Sequence, residues 1–196
     1  MMYDGCNPTA LCSQTQIAGA LLALLKEKHY SRITVSEVCR EAEVSRQTFY
    51  SLFSSLENVM LFILHKKACG LPDEPENSSL ECLCRCYSRY FSRNREFLKL
   101  LAENDMIDLL YHDLYESFTH CQDCFSAEQQ HLRSDAGAEQ RLHSVTGAER
   151  HFRYAAHFFA GGLTGVARRY CTEEPPVSPE TLCDILYALF SGMFFT

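Results

Sequence analysis

The sequence has no uninterrupted run of about 18 apolar residues, which is the length that a transmembrane helix needs. It also has no apolar segment of the secretory type near residue 1. The apolar stretch from Ala20 to Leu25 is the nearest approach to either, and Lys26 cuts it short. We therefore expect a soluble, cytoplasmic protein with no membrane partner.

The sequence motifs of the common enzyme classes are missing as well. The chain contains no glycine-rich phosphate loop, no nucleophile elbow and no His-Glu-x-x-His run. The neighbouring carboxylates of Glu103, Asp105 and Asp108 lie at the predicted start of a helix, where capping explains them. We therefore predict that the protein is not an enzyme and uses no cofactor.

The chain as a whole lacks the positive charge that usually marks a nucleic-acid-binding protein. Its net charge over 196 residues is −7. Residues 1–67, however, carry seven Lys and Arg side chains against six carboxylates, a balance of +1, and the rest of the chain carries a balance of −8. DNA binding by the N-terminal segment would therefore have low and salt-sensitive non-specific affinity.

Cysteine, in contrast, is abundant, with eleven residues in the chain. Because no export signal is seen, we expect most of them to be reduced and buried as small apolar side chains. Cys82 and Cys86 share a face of one predicted helix, and Cys121 and Cys124 share a face of another, which leaves a thiolate metal site or an oxidisable pair as an alternative. Such pairs on separate long helices lack the tight loop of a diagnostic Cys-x-x-Cys site, so we predict no metal.

The most informative stretch is residues 33–53, which predicts two short helices joined by a tight turn. The apolar side chains of the first helix follow the i, i+3, i+4, i+7 spacing of one helix face, namely Val35, Val38, Cys39 and Ala42. Thr34, followed three residues later by Glu37, is a capping-box signature and places the start of this helix. Ser45 is a suitable N-cap for the second helix, and Phe49 points inward from it.

The second helix leaves a polar surface of hydrogen-bond donors and acceptors facing outward. A short exposed helix of this kind suits the reading of base edges in the major groove of DNA. The predicted base-reading residues are Arg46, Gln47, Thr48 and Ser51, and the predicted phosphate contacts are Thr34, Ser45 and Tyr50. A generic helical hairpin with a solvated polar face is the alternative.

Residues 34–57 read Thr-Val-x-x-Val-Cys-x-x-Ala-x-Val-Ser-Arg-x-Thr-Phe-Tyr-x-x-Phe-x-Ser-x-Glu. This pattern closely resembles the DNA-binding signature of the tetracycline-repressor (TetR) family. The resemblance implies an all-α homodimer with an N-terminal three-helix helix-turn-helix domain and a C-terminal helical domain for ligand sensing and dimerisation. Three positions depart from the family pattern. Glu43 occupies a position where the turn usually has glycine. Leu52 occupies the position of a common phosphate-contacting histidine, and Leu56 that of a common lysine. These departures should weaken DNA binding.

On this basis we expect a DNA-binding domain over residues 1–54 and a ligand-binding and dimerisation domain over residues 55–196. Residues 55–69 predict a connector helix that is apolar on several sides. Asn104 or Asp105 is predicted to begin a long helix. Residues 126–149 lose all apolar periodicity and predict a solvated or disordered segment, with a polar helix as the alternative. No strand pattern is present.

Two further sets of residues carry predictions for the C-terminal domain. The first could line an apolar pocket for an unknown small-molecule effector and consists of Tyr87, Tyr90, Phe91, Phe97, Met106, Tyr111, Phe118 and His157. The second could form a four-helix dimer interface from the last two helices of each copy and consists of Ala155, Phe159, Gly162, Val166, Leu182, Ile185, Leu186 and Leu189. Ordinary core packing is the alternative for each set.

The functional hypothesis is a sequence-specific transcriptional regulator that binds a palindromic operator on double-stranded DNA as a homodimer. The resemblance favours a repressor that a ligand releases from DNA. The alternative is a TetR-like helical scaffold that has lost DNA binding and acts as a ligand- or protein-binding module.

Overall fold

The computed structural model describes residues 7–68, 79–131 and 138–193, with the side chains of residues 120–149 left out. The residues it describes form nine α-helices and a short 3-10 turn at Tyr30–Arg32, without a β-strand among them. The helices are α1 (Pro8–Glu27), α2 (Val35–Glu41), α3 (Arg46–Leu52), α4 (Leu56–Ala68), α5 (Leu80–Arg93), α6 (Arg95–Glu103), α7 (Asp108–His131), α8 (Ala138–Thr172) and α9 (Pro179–Ser191). The predicted all-α class is confirmed.

The chain divides into two compact units. The first unit consists of Met1–Ile107 and Arg168–Thr196, and the second of Asp108–Ala167. The predicted boundary at residue 54 lies inside the first unit, which therefore contains the helix-turn-helix segment together with α4, α5, α6 and α9.

Helix α1 forms one wall of the N-terminal core and packs against α2, α3 and α4. The fully buried side chains of this core are Ile17, Leu21, Val38, Phe49 and Val59. Helices α2 and α3 have seven residues each. Because isolated helices of that length are marginal in water, their stability comes from this shared apolar face and from their caps.

Among the residues described, α1 alone is long and apolar enough to cross a membrane when judged by length and composition. A core helix of a soluble protein passes the same test. Its buried side chains include Ile17, Leu21, Leu24 and Leu25, which lie against its neighbouring helices rather than facing outward. We therefore assign α1 to the N-terminal core.

The helix starts follow their predicted caps. The Thr34 hydroxyl accepts a hydrogen bond from the Glu37 backbone N–H at 3.3 Å, and the Glu37 carboxylate accepts one from the Thr34 N–H at 2.9 Å, which completes the capping box. Ser45 caps α3 by accepting from the Thr48 N–H at 2.9 Å. Ser178 caps α9 in the same way, with Pro179 at its first position.

The prediction that Asn104 or Asp105 begins a helix is wrong, because these residues end α6 instead. The Met106 N–H donates to the Leu101 carbonyl at 2.8 Å and the Asp105 N–H to the Ala102 carbonyl at 3.4 Å, which is a Schellman motif. Asp105 occupies its left-handed position, with φ of 57°. Asx residues favour both helix N-caps and this conformation, so the sequence alone favoured the wrong choice.

Of the alternatives predicted for residues 126–149, a solvated or disordered segment or a polar helix, the described backbone has the helix. Residues 126–131 continue α7, and residues 138–149 form the beginning of α8. Extending an existing helix costs far less than starting one, so a polar stretch can follow a helix that is already packed. Residues 132–137 lie outside the described residues.

The turn between α2 and α3 is a second Schellman motif, and it contains the first departure from the family pattern. The Val44 N–H donates to the Cys39 carbonyl at 2.9 Å, and the Glu43 N–H to the Arg40 carbonyl at 3.3 Å. Glu43 therefore occupies the position that glycine prefers, with φ of 54°. A side chain with a Cβ is strained in this conformation.

We predict that Glu43→Gly stabilises the protein, because glycine adopts this backbone conformation without steric cost. The greater freedom of glycine in the unfolded chain offsets part of the gain, so we expect about 0.5–1 kcal/mol. Urea unfolding followed by circular dichroism measures this change. Glu43→Ala, which removes the carboxylate but keeps the Cβ, is the matched control and should bring no such gain. Equal stabilities of the two variants would contradict the backbone explanation.

Candidate DNA-binding site

The outward face of α3 is set by the side chains that the helix buries. Phe49 is fully buried and Leu52 nearly so, which turns Arg46, Gln47 and Tyr50 toward solvent. Ser51 is exposed on the same side. These four residues, which we call the α3 face, present a guanidinium, an amide and two hydroxyls on one helix surface.

Tyr50 is the most prominent side chain of the α3 face, with 56% of its surface exposed. Its ring meets the ring of buried Phe49 edge to face, with centroids 5.4 Å apart. This is a favoured aromatic geometry. The contact supports the base of the Tyr50 side chain while its hydroxyl stays in solvent.

Two of the predicted contact residues are already engaged in capping α3. The hydroxyls of Ser45 and Thr48 share a hydrogen bond of 2.8 Å, and the Ser45 hydroxyl also accepts the Thr48 N–H. Thr48 is half-buried, so it lies at the border of the α3 face rather than on it. The Ser51 hydroxyl donates to the Thr48 carbonyl at 2.8 Å.

The N-terminus of α2, a predicted phosphate site, contains an ion pair that the sequence analysis missed. The Lys28 Nζ lies 2.5 Å from the Glu37 Oε1. Hydrogen bonds from Lys28 and from the Thr34 backbone N–H lower the pKa of Glu37 to about 2. The Thr34 N–H and hydroxyl both bind this carboxylate. Lys28 thus neutralises a negative charge that would otherwise repel a phosphate there.

The three departures from the family pattern lie in different environments. Glu43 is exposed in the turn before α3. Leu52 is 5% exposed and belongs to the N-terminal core. Leu56 is half-buried as the first residue of α4. Glu43 is therefore the departure that adds charge near the α3 face, whereas Leu52 and Leu56 replace polar side chains with apolar packing.

A long-range contact joins the turn after α1 to the end of α6. The Tyr30 backbone N–H donates to the Asn104 Oδ1 at 2.6 Å, and the Asn104 amide donates to the Leu100 carbonyl at 2.8 Å. Burial and the charge of Glu57 raise the pKa of the Tyr30 hydroxyl. Residues 30 and 104 are 74 positions apart, so no local pattern could have revealed this contact.

The predicted pocket residues fall in both units. In the first unit Tyr90, Phe91, Phe97 and Met106 are buried, and Tyr87 is half-buried. In the second unit the Tyr111 hydroxyl hydrogen-bonds to the Nδ1 of His157, whose ring stacks on that of Tyr115 with centroids 4.2 Å apart. The Phe118 ring lies 6.1 Å from that of Phe159. The proposed pocket therefore remains a prediction.

A groove of about 710 Å³ lies between α5 and α9. None of the residues that line it belongs to the predicted pocket set. They are Glu81, Arg85, Ser88, Arg89, Pro179, Glu180, Cys183, Asp184 and Tyr187. The groove is therefore mixed in charge, unlike the apolar cavity that the sequence predicted.

Two residues of the predicted dimer interface are core residues of the single chain. Leu182 and Leu186 are at most 2% exposed, and α9 packs against α5. The prediction is corrected for these two, because a side chain already buried in its own chain has no surface left for a partner. Ile185 is exposed and Leu189 half-buried on α9.

Helix α8 leaves its own apolar surface uncovered. Ala155 is exposed, whereas Phe159, Gly162 and Val166 are half-buried. The most exposed aromatic side chains on this helix are ones that the sequence analysis did not select for the interface, Tyr154 at 72% and Phe158 at 65%. Their exposure is visible only in the structure, because the sequence shows apolar spacing but not which side is exposed.

The fold and the α3 face together define an all-helical protein with an N-terminal helix-turn-helix. Residues 17–61 match the family model of bacterial regulatory proteins, tetR family. The matched residues contain the whole motif on which the resemblance to the TetR family rests.

The chain is 28% identical over 114 residues to the HTH-type dhaKLM operon transcriptional activator DhaS of Lactococcus lactis subsp. lactis (strain IL1403). That match covers 57% of this chain and 54% of the relative, so it spans about half of the relative's length.

Solved structures share the fold over nearly the whole chain. A dihydroxyacetone kinase operon activator DhaS matches with a TM-score of 0.53 at 19% identity, over 92% of this chain and 95% of that one. A TetR transcriptional regulator from Streptococcus agalactiae 2603V matches with 0.57 at 16% identity, over 92% and 94%. A putative TetR-family regulator from Syntrophomonas wolfei str. Goettingen matches with 0.56 at 13% identity, over 94% and 95%.

The depressed pKa of Glu37 predicts a loss of stability in acid. The pKa falls from 4.5 in the unfolded chain to about 2 in the folded one, so the ion pair and capping box stabilise the fold above pH 4.5. This stabilisation is lost as the pH falls from 4.5 toward 2. Glu37→Gln can still accept the capping hydrogen bonds but cannot titrate. Urea unfolding at stepwise lower pH should show wild type losing its advantage over Glu37→Gln, and a constant difference would refute the assignment.

Proposed function

We propose that this protein is a sequence-specific DNA-binding transcriptional regulator that acts in the cytoplasm on a palindromic operator. The α3 face within a TetR-type domain is the observation that carries the proposal. A helix with this exposure fits the major groove, where each base pair presents a distinct pattern of donors and acceptors. The relatives named above as regulators support it.

Each residue of the α3 face has a role that follows from its chemistry. Arg46 can donate two hydrogen bonds to guanine, and Gln47 can pair with adenine. The exposed hydroxyl of Tyr50 can donate a hydrogen bond to a phosphate oxygen of DNA. The Ser51 hydroxyl can contact either a base edge or the DNA backbone. Ser45, Thr48 and Thr34 form caps, so their part is to hold α2 and α3 in place. The Thr34 N–H and hydroxyl are already bound to the Glu37 carboxylate.

The N-terminal segment has little net positive charge, so most of its affinity for DNA must come from direct contacts with bases and phosphates. Residues 1–67 have a balance of +1. Non-specific binding, which depends on released counterions, should therefore be weak. Recognition would then require base contacts from both subunits of a dimer. Because the two subunits are related by a two-fold axis, they would bind two inverted half-sites, which form a palindromic operator.

An effector would act by shifting the population of two arrangements of the first unit. Helix α4 is the connector in this scheme, and it contacts α6. The Lys67 Nζ lies 5.1 Å from the centre of the Phe97 ring and 3.5 Å from the Asn94 Oδ1. The Tyr30–Asn104 hydrogen bond gives α6 a second link to the N-terminal helices. A small molecule that moved α6 would therefore bias the orientation of α3.

The sign of regulation is a separate part of the proposal. The TetR resemblance favours a repressor that its ligand releases. The Lactococcus relative is named an activator. Transcription from the selected operator, measured with and without the protein, distinguishes the two.

Selection of binding sites from a random duplex pool tests the proposal, followed by a salt titration of the enriched duplex. We expect an enriched palindrome whose affinity falls as salt rises. Failure to enrich any sequence at low salt would overturn DNA recognition and favour the scaffold that binds a ligand or protein instead.

We predict that Arg46→Ala weakens binding to the selected operator by about 1–3 kcal/mol, because the bidentate contact to guanine is lost. Discrimination at the contacted base pair should relax in parallel. Arg169→Ala is the matched control, since it removes the same charge from an exposed side chain on α8. Fluorescence anisotropy with labelled duplex measures both. An equal loss of operator affinity in the two variants would show that Arg46 contributes only through its charge and does not contact guanine.

We further propose that α8 forms part of a homodimer interface. Regulators of this family typically act as dimers. Tyr154, Phe158, Gly161 and Gly165 follow the spacing of one helix face, and all four are exposed. A Cβ added at Gly161 or Gly165 would meet nothing within 4 Å. Because glycine costs a helix about 1 kcal/mol relative to alanine, its presence where the chain leaves open space favours close approach by a second copy.

We predict that Gly161→Leu prevents dimer formation without unfolding the protein. A Cβ at this exposed position meets nothing within 4 Å in the single chain, and leucine favours the helix, whereas a closely packed partner would clash with the added side chain. Gly19→Leu is the matched control, because Gly19 is also an exposed helix glycine without a neighbour within 4 Å. Sedimentation equilibrium should show dimers for wild type and Gly19→Leu but monomers for Gly161→Leu. A Gly161→Leu dimer of unchanged affinity would exclude this interface.

A further inference from the structure

Two cysteines of α5 lie one helical turn apart on the same side of the helix. Cys82 and Cys86 are both half-buried, whereas Cys84 between them is buried on another side. Burial raises the pKa of the Cys86 thiol, and the neighbouring Cys82 thiol raises it further. The two sulfur atoms are therefore neighbours that solvent can still reach.

The geometry of the pair disfavours a disulfide. Side chains at i and i+4 of a helix have Cβ atoms about 5–6 Å apart. A disulfide needs Cβ atoms about 3.5–4.5 Å apart. Closing the bond would thus require α5 to distort. A metal ion that bridges the two sulfurs, with metal–sulfur bonds of about 2.3 Å each, spans the gap without such a distortion.

The number of available ligands limits which ion could bind. The side chains that the structure describes contain no group of three or more His, Cys, Asp or Glu placed to hold a metal. A structural zinc site, which takes four ligands, therefore does not fit these two thiols. Soft monovalent ions such as Cu(I) prefer thiolates and accept two of them in a nearly linear arrangement.

The surroundings of the pair favour a negatively charged complex. Cys82 is in the first turn of α5, where its N–H donates to the Ser79 hydroxyl at 3.2 Å. The guanidinium groups of Arg89 and Arg85 lie close enough to act on Cys86 and lower its pKa, against the larger effect of burial. Arg85 also pairs with Glu81 at 2.6 Å, so the two cations compensate only part of the charge of a bis-thiolate ion.

We propose that Cys82 and Cys86 form a two-coordinate thiolate site for a soft monovalent metal ion of the Cu(I) class. Binding replaces the two thiol protons, so two S–H bonds break, two Cu–S bonds form and two protons pass to solvent. The product carries one negative charge, and no electron is transferred. This inference does not depend on DNA binding.

The experiment is a Cu(I) titration of the reduced full-length chain under argon, in competition with a chromophoric Cu(I) chelator. Wild type should retain one more equivalent of Cu(I) than Cys82→Ser, and Cys86→Ser should lose the same equivalent, because a single thiolate cannot hold the ion. The variant with both Cys82→Ser and Cys86→Ser should lose no more bound Cu(I) than either single variant. Cys12→Ser and Cys183→Ser are the matched controls and should retain the wild-type stoichiometry.

Circular dichroism first establishes that each variant keeps the wild-type helix content, with Cys86→Ala replacing Cys86→Ser if the serine variant does not. X-ray absorption of the copper-loaded wild type should then show two sulfur neighbours. Equal copper retention by wild type and the double variant would overturn the site, as would loss of the equivalent in either control. Because the readout is bound metal, its failure would leave the DNA-binding proposal untouched.

Discussion

Burial of Phe49 is the constraint on which the N-terminal domain depends. Helices α2 and α3 are too short to be stable alone, so their shared apolar side must be covered, and α1 covers it. With Phe49 fixed at zero exposure, the opposite side of α3 can only face solvent. The polar α3 face is thus a consequence of core packing, and its orientation is as rigid as the core beneath it.

The N-terminal domain carries little net positive charge with which to attract DNA. Lys28 neutralises Glu37 at the start of α2, and Glu43 adds a carboxylate at the turn. A protein of this kind gains little from long-range attraction and must rely on contacts at short range. Short-range contacts are lost when the side chains of the α3 face shift by a small distance. A small movement of α3 would therefore have a large effect on the affinity for DNA. The weak electrostatics of this domain are therefore compatible with the proposed sensitivity to an effector.

The features that could be predicted from the sequence are those that depend on residues close to one another along the chain. The capping box at Thr34 and the N-cap at Ser45 each depend on residues within three positions, and both formed as predicted. The contacts of Lys28 with Glu37 and of Tyr30 with Asn104 span 9 and 74 positions, so no periodic pattern contains them. Apolar spacing likewise identified the stripe of α9, but it could not show that α5 covers part of it.

The proposed dimer must bury more surface than the α8 aromatics provide. Two exposed aromatic side chains contribute roughly 300 Å² per copy, given about 150–250 Å² for each ring when fully buried. A stable interface takes about 800 Å² from each partner. Close approach at Gly161 and Gly165 would add backbone contact, because without side chains two helices can pack nearer than usual. The glycines thus contribute to the interface by the distance they allow rather than by the surface they bury.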